Sequence, residues 1–262
     1  MKLKVINNNH GNESKAWFTL KPLMKYHDPN GIPTMWGLAS SNYQKAQQLH
    51  HEKKPWIFCD MPYWGRWNPL KQAVDPKAEY YWRICFSDIH VTNIIPDLPK
   101  HRIEHIQLKP WRKSSGDYIL VAPSSNTVNA FIGEPTWEQK IVAWLKTKTD
   151  MPIKIRHKPR KGGRSGPAYA DIPLIDDLKH AHCVVTSCSM VSIDAIIEGI
   201  PVYCNKQCPA MPVSQTLEQF GDPLYSDKRK DWLTTLSWHQ YTQQEIEEGL
   251  FESMFGEMYA LR

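Results

Sequence analysis

Four stretches of the chain carry residue types and spacings suited to chemistry. In Trp56-Ile-Phe-Cys-Asp60-Met-Pro-Tyr63-Trp64-Gly-Arg66-Trp67 a carboxylate closes an apolar run, just ahead of a proline and several aromatics. An Asp there can serve as general base toward a hydroxyl held within hydrogen-bond reach. The same position also suits a turn or helix-capping Asp. His10-Gly11 follows the first apolar run, where a glycine lets a ligand approach the backbone, and His10 is the second candidate base. Ser187-Cys-Ser189-Met-Val-Ser192-Ile-Asp194 is a small-residue turn leading into a helix. Its hydroxyls and N–H groups suit an anion such as a diphosphate, and Asp194 is placed to accept from a ribose. Ser124-Ser125 forms a similar polar turn after another apolar run. Lys154-Ile-Arg156-His157-Lys158-Pro-Arg160-Lys161-Gly-Gly-Arg164 is basic. Strand alternation puts Lys154, Arg156 and Lys158 on one side, where cations can neutralise a departing diphosphate. A solvated basic loop and a contact to nucleic-acid phosphates are the other readings of that stretch.

The elements that must position these residues alternate between strands and helices. Strands are expected over Lys2–Asn7, Thr34–Leu38, Pro55–Asp60, Tyr80–Phe86, Tyr118–Ala122 and Ile153–Arg156, and again around Cys183–Val185 and Val202–Cys204. Helices are expected over Ala16–Tyr26, Asn42–Glu52, Trp137–Lys146 and Lys228–Trp238. Ser189 or Ser192 is placed to cap the helix that ends at Glu198-Gly199. Thr242-Gln-Gln-Glu245 is a capping-box pattern opening a last helix to about Leu261. The pattern predicts an α/β fold of two facing Rossmann-like domains, with a ligand cleft between them. The first covers 1–112 and the second 113–227. Residues 228–262 form terminal helices, the last of which packs back on the first domain.

Composition narrows the functional classes. The chain of 262 residues is 41% hydrophobic and 23% charged, as in ordinary globular domains. No run approaches the roughly 18 apolar residues of a membrane span. The opening Met1-Lys-Leu-Lys-Val-Ile-Asn7 has no signal-peptide core, so a cytoplasmic protein is expected (host cytoplasm if phage-encoded). Six cysteines in a chain this long make no disulfide framework, and without a CxxC or HExxH motif no metal site is expected. The net charge of +5 permits an anionic partner, and eleven tryptophans, several beside cations, suit stacking on sugars or bases.

The segment Ser189-x-x-Ser192-x-Asp194-Ala-x-x-x-Gly199-x-Pro-Val202 resembles the donor-binding segment of the GT-B nucleotide-sugar glycosyltransferases. In that family an acidic residue ahead of the Gly-x-Pro-Val turn binds the ribose. The matching residue here is Asp194, one methylene shorter than the more usual Glu. Arg156-His-Lys158-Pro is similar to the basic strand end that holds the diphosphate in capsule-type members. Met1-Lys-Leu-Lys-Val-Ile-Asn-Asn-Asn and Trp56-Ile-Phe-Cys-Asp60-Met-Pro resemble the phage DNA β-glucosyltransferases, whose matching Asp is the base.

The resemblance implies an inverting glycosyltransferase that needs no metal and takes a nucleotide-sugar, a UDP-sugar by preference, as co-substrate. Asp60 or His10 would be the base. Ser124, Ser125, Arg156, Lys158, Ser187, Ser189, Ser192 and Asp194 would hold the donor. The implied acceptor is a hydroxymethylated pyrimidine in double-stranded phage DNA, gripped by Tyr63, Trp64, Arg66 and Trp67. The alternatives are a capsule or lipopolysaccharide transferase and a non-catalytic nucleotide- or DNA-binding protein of the same fold.

Overall fold

The computed structural model describes residues 1–6, 15–39, 41–65, 80–113, 116–158 and 173–261. In chain order these form β1 (Leu3–Val5), α1 (Lys15–Leu23), β2 (Ile32–Trp36), α2 (Ser41–His51), β3 (Ile57–Asp60) and β4 (Trp82–Phe86). There follow β5 (Tyr118–Val121), α3 (Asn126–Phe131), α4 (Trp137–Leu145), β6 (Ile153–Ile155), α5 (Leu174–His180), β7 (Ala181–Thr186), α6 (Val191–Ile197) and β8 (Val202–Cys204). The chain closes with α7 (Arg229–Ser237), β9 (Gln240–Tyr241), α8 (Gln243–Glu247) and α9 (Leu250–Met258). The expected α/β class is what the chain adopts, in two units: residues 1–91 with 234–262, and residues 92–233.

The first unit is built on a sheet in the order β1-β2-β3-β4-β9. Its first three strands are parallel, in register Leu3↔Ile32 and Thr34↔Ile57. Parallel neighbours need a crossover, and α1 and α2 supply helices between them. The sheet then turns antiparallel: Ile57 faces Phe86, and Trp82 faces Tyr241. Leu3, Leu20, Leu23, Ile57 and Ile84 share one core with Tyr241, Ile246, Phe251 and Phe255. The terminal helices thus pack back on the first unit, as the sequence predicts. Lys25 Nζ also donates to Glu247 O at 2.8 Å, tying the turn after α1 to α8. The Thr242 capping box is formed in both directions: Glu245 N donates to Thr242 Oγ1 at 3.1 Å, and Thr242 N to Glu245 Oε2 at 2.8 Å. The single last helix is corrected to two, because Gly249 takes φ 91° and breaks it between α8 and α9.

The second unit holds a fully parallel sheet in the order β6-β5-β7-β8. Ile119, Val121, Cys183 and Val185 pack under Trp137, Ile141 and Leu145 of α4. The division of the chain falls after Val91, not at the expected 112/113 boundary. The charge-rich stretch before Lys113 is no solvated linker, because its polar groups serve the second unit. Lys109 N donates to Ile197 O at 2.9 Å, and Arg112 N to Gly199 O at 2.8 Å. The Arg112 guanidinium donates to the carbonyls of Leu178 and Lys179, each at 2.5 Å, near the end of α5. Gly199 is required here twice over. Its φ is 76°, and a Cβ on it would lie 2.0 Å from Pro110 O. The second division falls within α7, so 228–262 is not a unit of its own: Trp232 Nε1 donates to Pro209 O at 2.7 Å in the second unit, whereas Trp238 lies in the first. Among the described residues no helix is long and apolar enough to cross a membrane.

Candidate functional site

In the second unit the chain leaves β5 toward β6 and later returns past β5 to β7. The strand order therefore reverses between β5 and β7, and the loops beyond their carboxyl ends part to opposite faces. The residues at that opening are Ala122–Ser125 and Ser187–Met190. Hydrogen bonds join the two turns across it. Cys188 N donates to Ser124 Oγ at 3.0 Å, and Ser124 N reaches Ser187 Oγ at 3.4 Å. The Ser187 hydroxyl donates to Asn129 Oδ1 at 2.7 Å, and both residues are buried. Thr186 Oγ1, at the end of β7, donates to Ala122 O at 2.6 Å and accepts from Ser189 N at 3.1 Å.

The donor residues expected from sequence gather here, with differing roles. Ser125 caps α3 by accepting from Val128 N at 3.3 Å. Ser189 accepts from Val191 N at 3.4 Å, at the start of α6. Ser192 is fully buried, where its hydroxyl donates to Ser189 O at 2.8 Å and accepts from the Cys208 thiol at 3.4 Å. Its contribution is to the shape of the turn. Asp194 stands exposed on the first turn of α6. The N–H groups of Cys188, Ser189 and Val191, expected to be open for an anion, are occupied by side-chain hydroxyls. The turn is thus held in shape without a ligand.

The basic strand end lies beside the crevice, at β6. Alternation puts Lys154 and Arg156 on one side, as expected, and both meet the same carboxylate. Lys154 Nζ lies 2.5 Å from Asp177 Oδ1, and Arg156 Nη1 pairs with Asp177 Oδ2. Burial alone would push the Asp177 carboxyl up; the Lys154 and Arg156 hydrogen bonds outweigh it and hold the carboxyl below its ordinary value. Part of Arg156's charge is therefore answered within the protein. Lys158, two residues on, is exposed. His157 Nε2 lies 2.8 Å from Glu138 Oε2. Arg160, Lys161 and Arg164 lie outside the described residues.

In the first unit Asp60 ends β3 half-buried, directly opposite Arg83 on β4. Its Oδ1 accepts from Met61 N at 2.7 Å and its Oδ2 from Arg83 Nη2 at 3.1 Å. The Arg83 side chain is 4% exposed, against 35% for Asp60. Its guanidinium lies 5.4 Å from the ring centroids of both Phe58 and Tyr63. Burial works most strongly against the Arg83 charge, but the Asp60 carboxylate, together with Cys85 and Tyr63, outweighs it and holds the guanidinium above its ordinary value. Arg83 Nη1 is also 2.6 Å from His90 Nδ1. A guanidinium has no acceptor, so Nδ1 accepts and the imidazole is neutral.

Of the other residues expected in this unit, Tyr63 is interior. Its hydroxyl accepts from Val91 N at 3.1 Å and meets Cys85 Sγ at 3.6 Å, which leaves no free ring to grip an acceptor. Trp64 is half-buried beside it, and its N–H shares the Gln240 side-chain oxygen with Tyr63 N. His10, Arg66 and Trp67 lie outside the described residues. Sequence reasoning missed Arg83, His90 and Asn129. An arginine flanked by Trp82 and Ile84 inside an apolar strand was the one available signal, since a buried charge needs a partner.

No family model matches the chain, and no curated protein matches it. Among the solved structures similar to it are two from Thermosulfurimonas dismutans. One is KpsC, β-Kdo 2,4 transferase, at 10% identity over 92% of this chain and 91% of that chain, with a TM-score of 0.48. The other is KpsC, β-Kdo 2,7 transferase, at 12% identity over 92% and 90%, with a TM-score of 0.45.

Proposed function

We propose that the protein is an inverting glycosyltransferase that moves a sugar from a nucleotide-sugar to a hydroxyl of a carbohydrate. The observation that carries the reading is the crevice at the carboxyl ends of β5 and β7, where the strand order reverses between two hydroxyl-rich turns. The nucleotide-sugar lies there. Asp194, exposed on the first turn of α6, accepts from the ribose, and Lys158 and Arg156 face the diphosphate. Asp60 is the base. As the acceptor oxygen attacks the anomeric carbon, its proton passes to the Asp60 carboxylate. The bond from that carbon to the diphosphate oxygen breaks, and the nucleoside diphosphate leaves with the electron pair. Arg83 holds Asp60 ionised and aimed, so it is a positioning residue.

A carbohydrate acceptor is preferred to duplex DNA because Tyr63, one of the four residues expected to grip a flipped base, is locked in the interior, which leaves that task to Trp64, Arg66 and Trp67. The test is calorimetry with UDP, CMP and their sugars, followed by transfer of labelled sugar to oligosaccharides, hydroxymethylated DNA and unmodified DNA. Saturable binding of one nucleotide and transfer to an oligosaccharide are expected. No binding of any nucleotide removes the donor site; transfer to DNA alone replaces the acceptor.

A further inference from the structure

The second unit carries a groove of about 770 Å³ that the transfer reading does not use. One wall is a single face of α4 and the turn after it, where Trp137, Lys140, Trp144 and Lys148 recur at helical spacing. The other wall is Cys204–Gln207 and Thr216–Glu218. Trp137 to Leu145 alone spans about 12 Å at the helical rise and Lys148 lies beyond its end, so the groove suits a short chain better than a single ring.

We propose that this groove binds an acidic oligosaccharide. Its floor is fixed: Trp137 is buried and its Nε1 donates to Asn205 Oδ1 at 3.2 Å. Trp144 is half-buried, braced edge-on by Phe220 with ring centroids 5.6 Å apart. A braced indole is an apolar platform for the C–H face of a pyranose. The charges select the acidic sugar. Glu134 is answered by Lys140 at 3.6 Å. The Glu218 carboxyl stays ionised, held below its ordinary value chiefly by its hydrogen bond to Thr216, and Lys206 answers part of its charge, which leaves Lys148 as the cation for the ligand. Among the described residues Lys148 and Lys206 pair with no carboxylate within 4 Å; Lys148 instead rests its ammonium over the Trp144 ring at 5.7 Å. A carboxylate on a sugar stacked against Trp144 meets that ammonium directly.

The test is titration of the full chain with tetragalacturonate and with neutral maltotetraose, read by tryptophan fluorescence and by calorimetry. Tetragalacturonate should bind saturably and at least about tenfold more tightly than maltotetraose. Lys148→Glu, at an exposed residue, should weaken it by about tenfold while thermal unfolding stays unchanged, and Trp144→Ala, read well below its unfolding transition, should weaken it by about tenfold while losing some thermal stability with its packing on Phe220. Saturating UDP should not displace it, which separates this site from the nucleotide crevice. No saturable binding up to about 10 mM overturns the proposal. So does equal affinity for the neutral chain, unchanged binding in both variants, or displacement by UDP. None of these outcomes depends on whether the protein transfers sugar.

Discussion

The crevice of the second unit is held together by neutral groups, whereas Asp60 in the first is held by a buried charge. Ser124, Thr186, Ser187 and Asn129 exchange hydrogen bonds with one another and with backbone, so each contributes on the order of 1 kcal/mol and the turn tolerates the loss of one. Arg83 also bonds His90, but its charge is paired with the Asp60 carboxylate. Removing either partner leaves the other charge without its answer in a poorly solvated place. The two sheets differ in the same sense. Reversal of strand order opens the crevice in the second unit without any special residue. The first sheet's described strands run β1-β2-β3-β4 in simple sequence, so its site depends on one cross-strand pair, Asp60 with Arg83.

The sharpest way to break this comparison is Asp60→Asn. The amide keeps the shape and can still accept from Met61 N, but it cannot take a proton. Turnover should fall by about 10²–10⁴-fold while nucleotide affinity measured by calorimetry holds. Turnover near that of the parent protein would place the base elsewhere.

Arg83→Met tests the charge directly. The hydrophobic variant fills the space between Phe58 and Tyr63 but strands Asp60. Urea unfolding should show a loss of about 3 kcal/mol, the low end for a broken buried pair, because Asp60 is partly exposed. A loss no larger than that for a crevice serine would erase the contrast between the sites.

A third handle is acid. His239 is wholly buried, its Nδ1–H donating to Thr235 O at 2.7 Å and its Nε2 accepting from the Tyr259 hydroxyl at 2.7 Å. Burial lowers it to about 4, against a smaller opposing effect of the Thr235 carbonyl. The unfolded chain takes up this proton below about pH 6.5, whereas the folded chain resists it down to about pH 4. Stability is therefore fully present above pH 6.5 and drains away as the pH falls toward 4, by about 3 kcal/mol. Protection factors of amides in α9 and β9, with the intrinsic pH dependence of exchange divided out, should fall as the pH drops across that window, and His239→Gln should flatten the response. A pH-independent protection factor in the parent protein would contradict the assignment.

The smallest effect is expected at Ser187→Ala, which removes the neutral hydrogen bond to Asn129 and the longer one from Ser124 N. A stability change of about 1 kcal/mol is expected by chemical denaturation, with the sheet intact.

Much of the architecture was legible because it rests on local pattern. The strands around Leu3, Ile57, Ile119 and Val184 and the helix at Trp137 declare themselves through apolar runs and helical spacing. The Thr242–Glu245 box and the Gly199 stop follow from residues that satisfy or end a helix by their own chemistry. The short helix α3 passed unnoticed because six residues show too little periodicity, and two-residue β9 exists only because β4 offers it a ladder. Nothing local could reveal that residues 92–113 brace the second unit, since their bonds run to Ile197, Gly199 and Leu178.

The sequence by itself determined which residues are chemically able: Asp60 at a strand end, the serine-rich turns, the basic run after Ile153. Only the tertiary structure decided what each is free to do. It buried Ser192 and Tyr63, gave Arg156 to Asp177, and set Arg83 across the ladder from Asp60. The reason is that a side chain's availability depends on which partners reach it and how much water remains, and both are set by contacts between residues far apart in the chain.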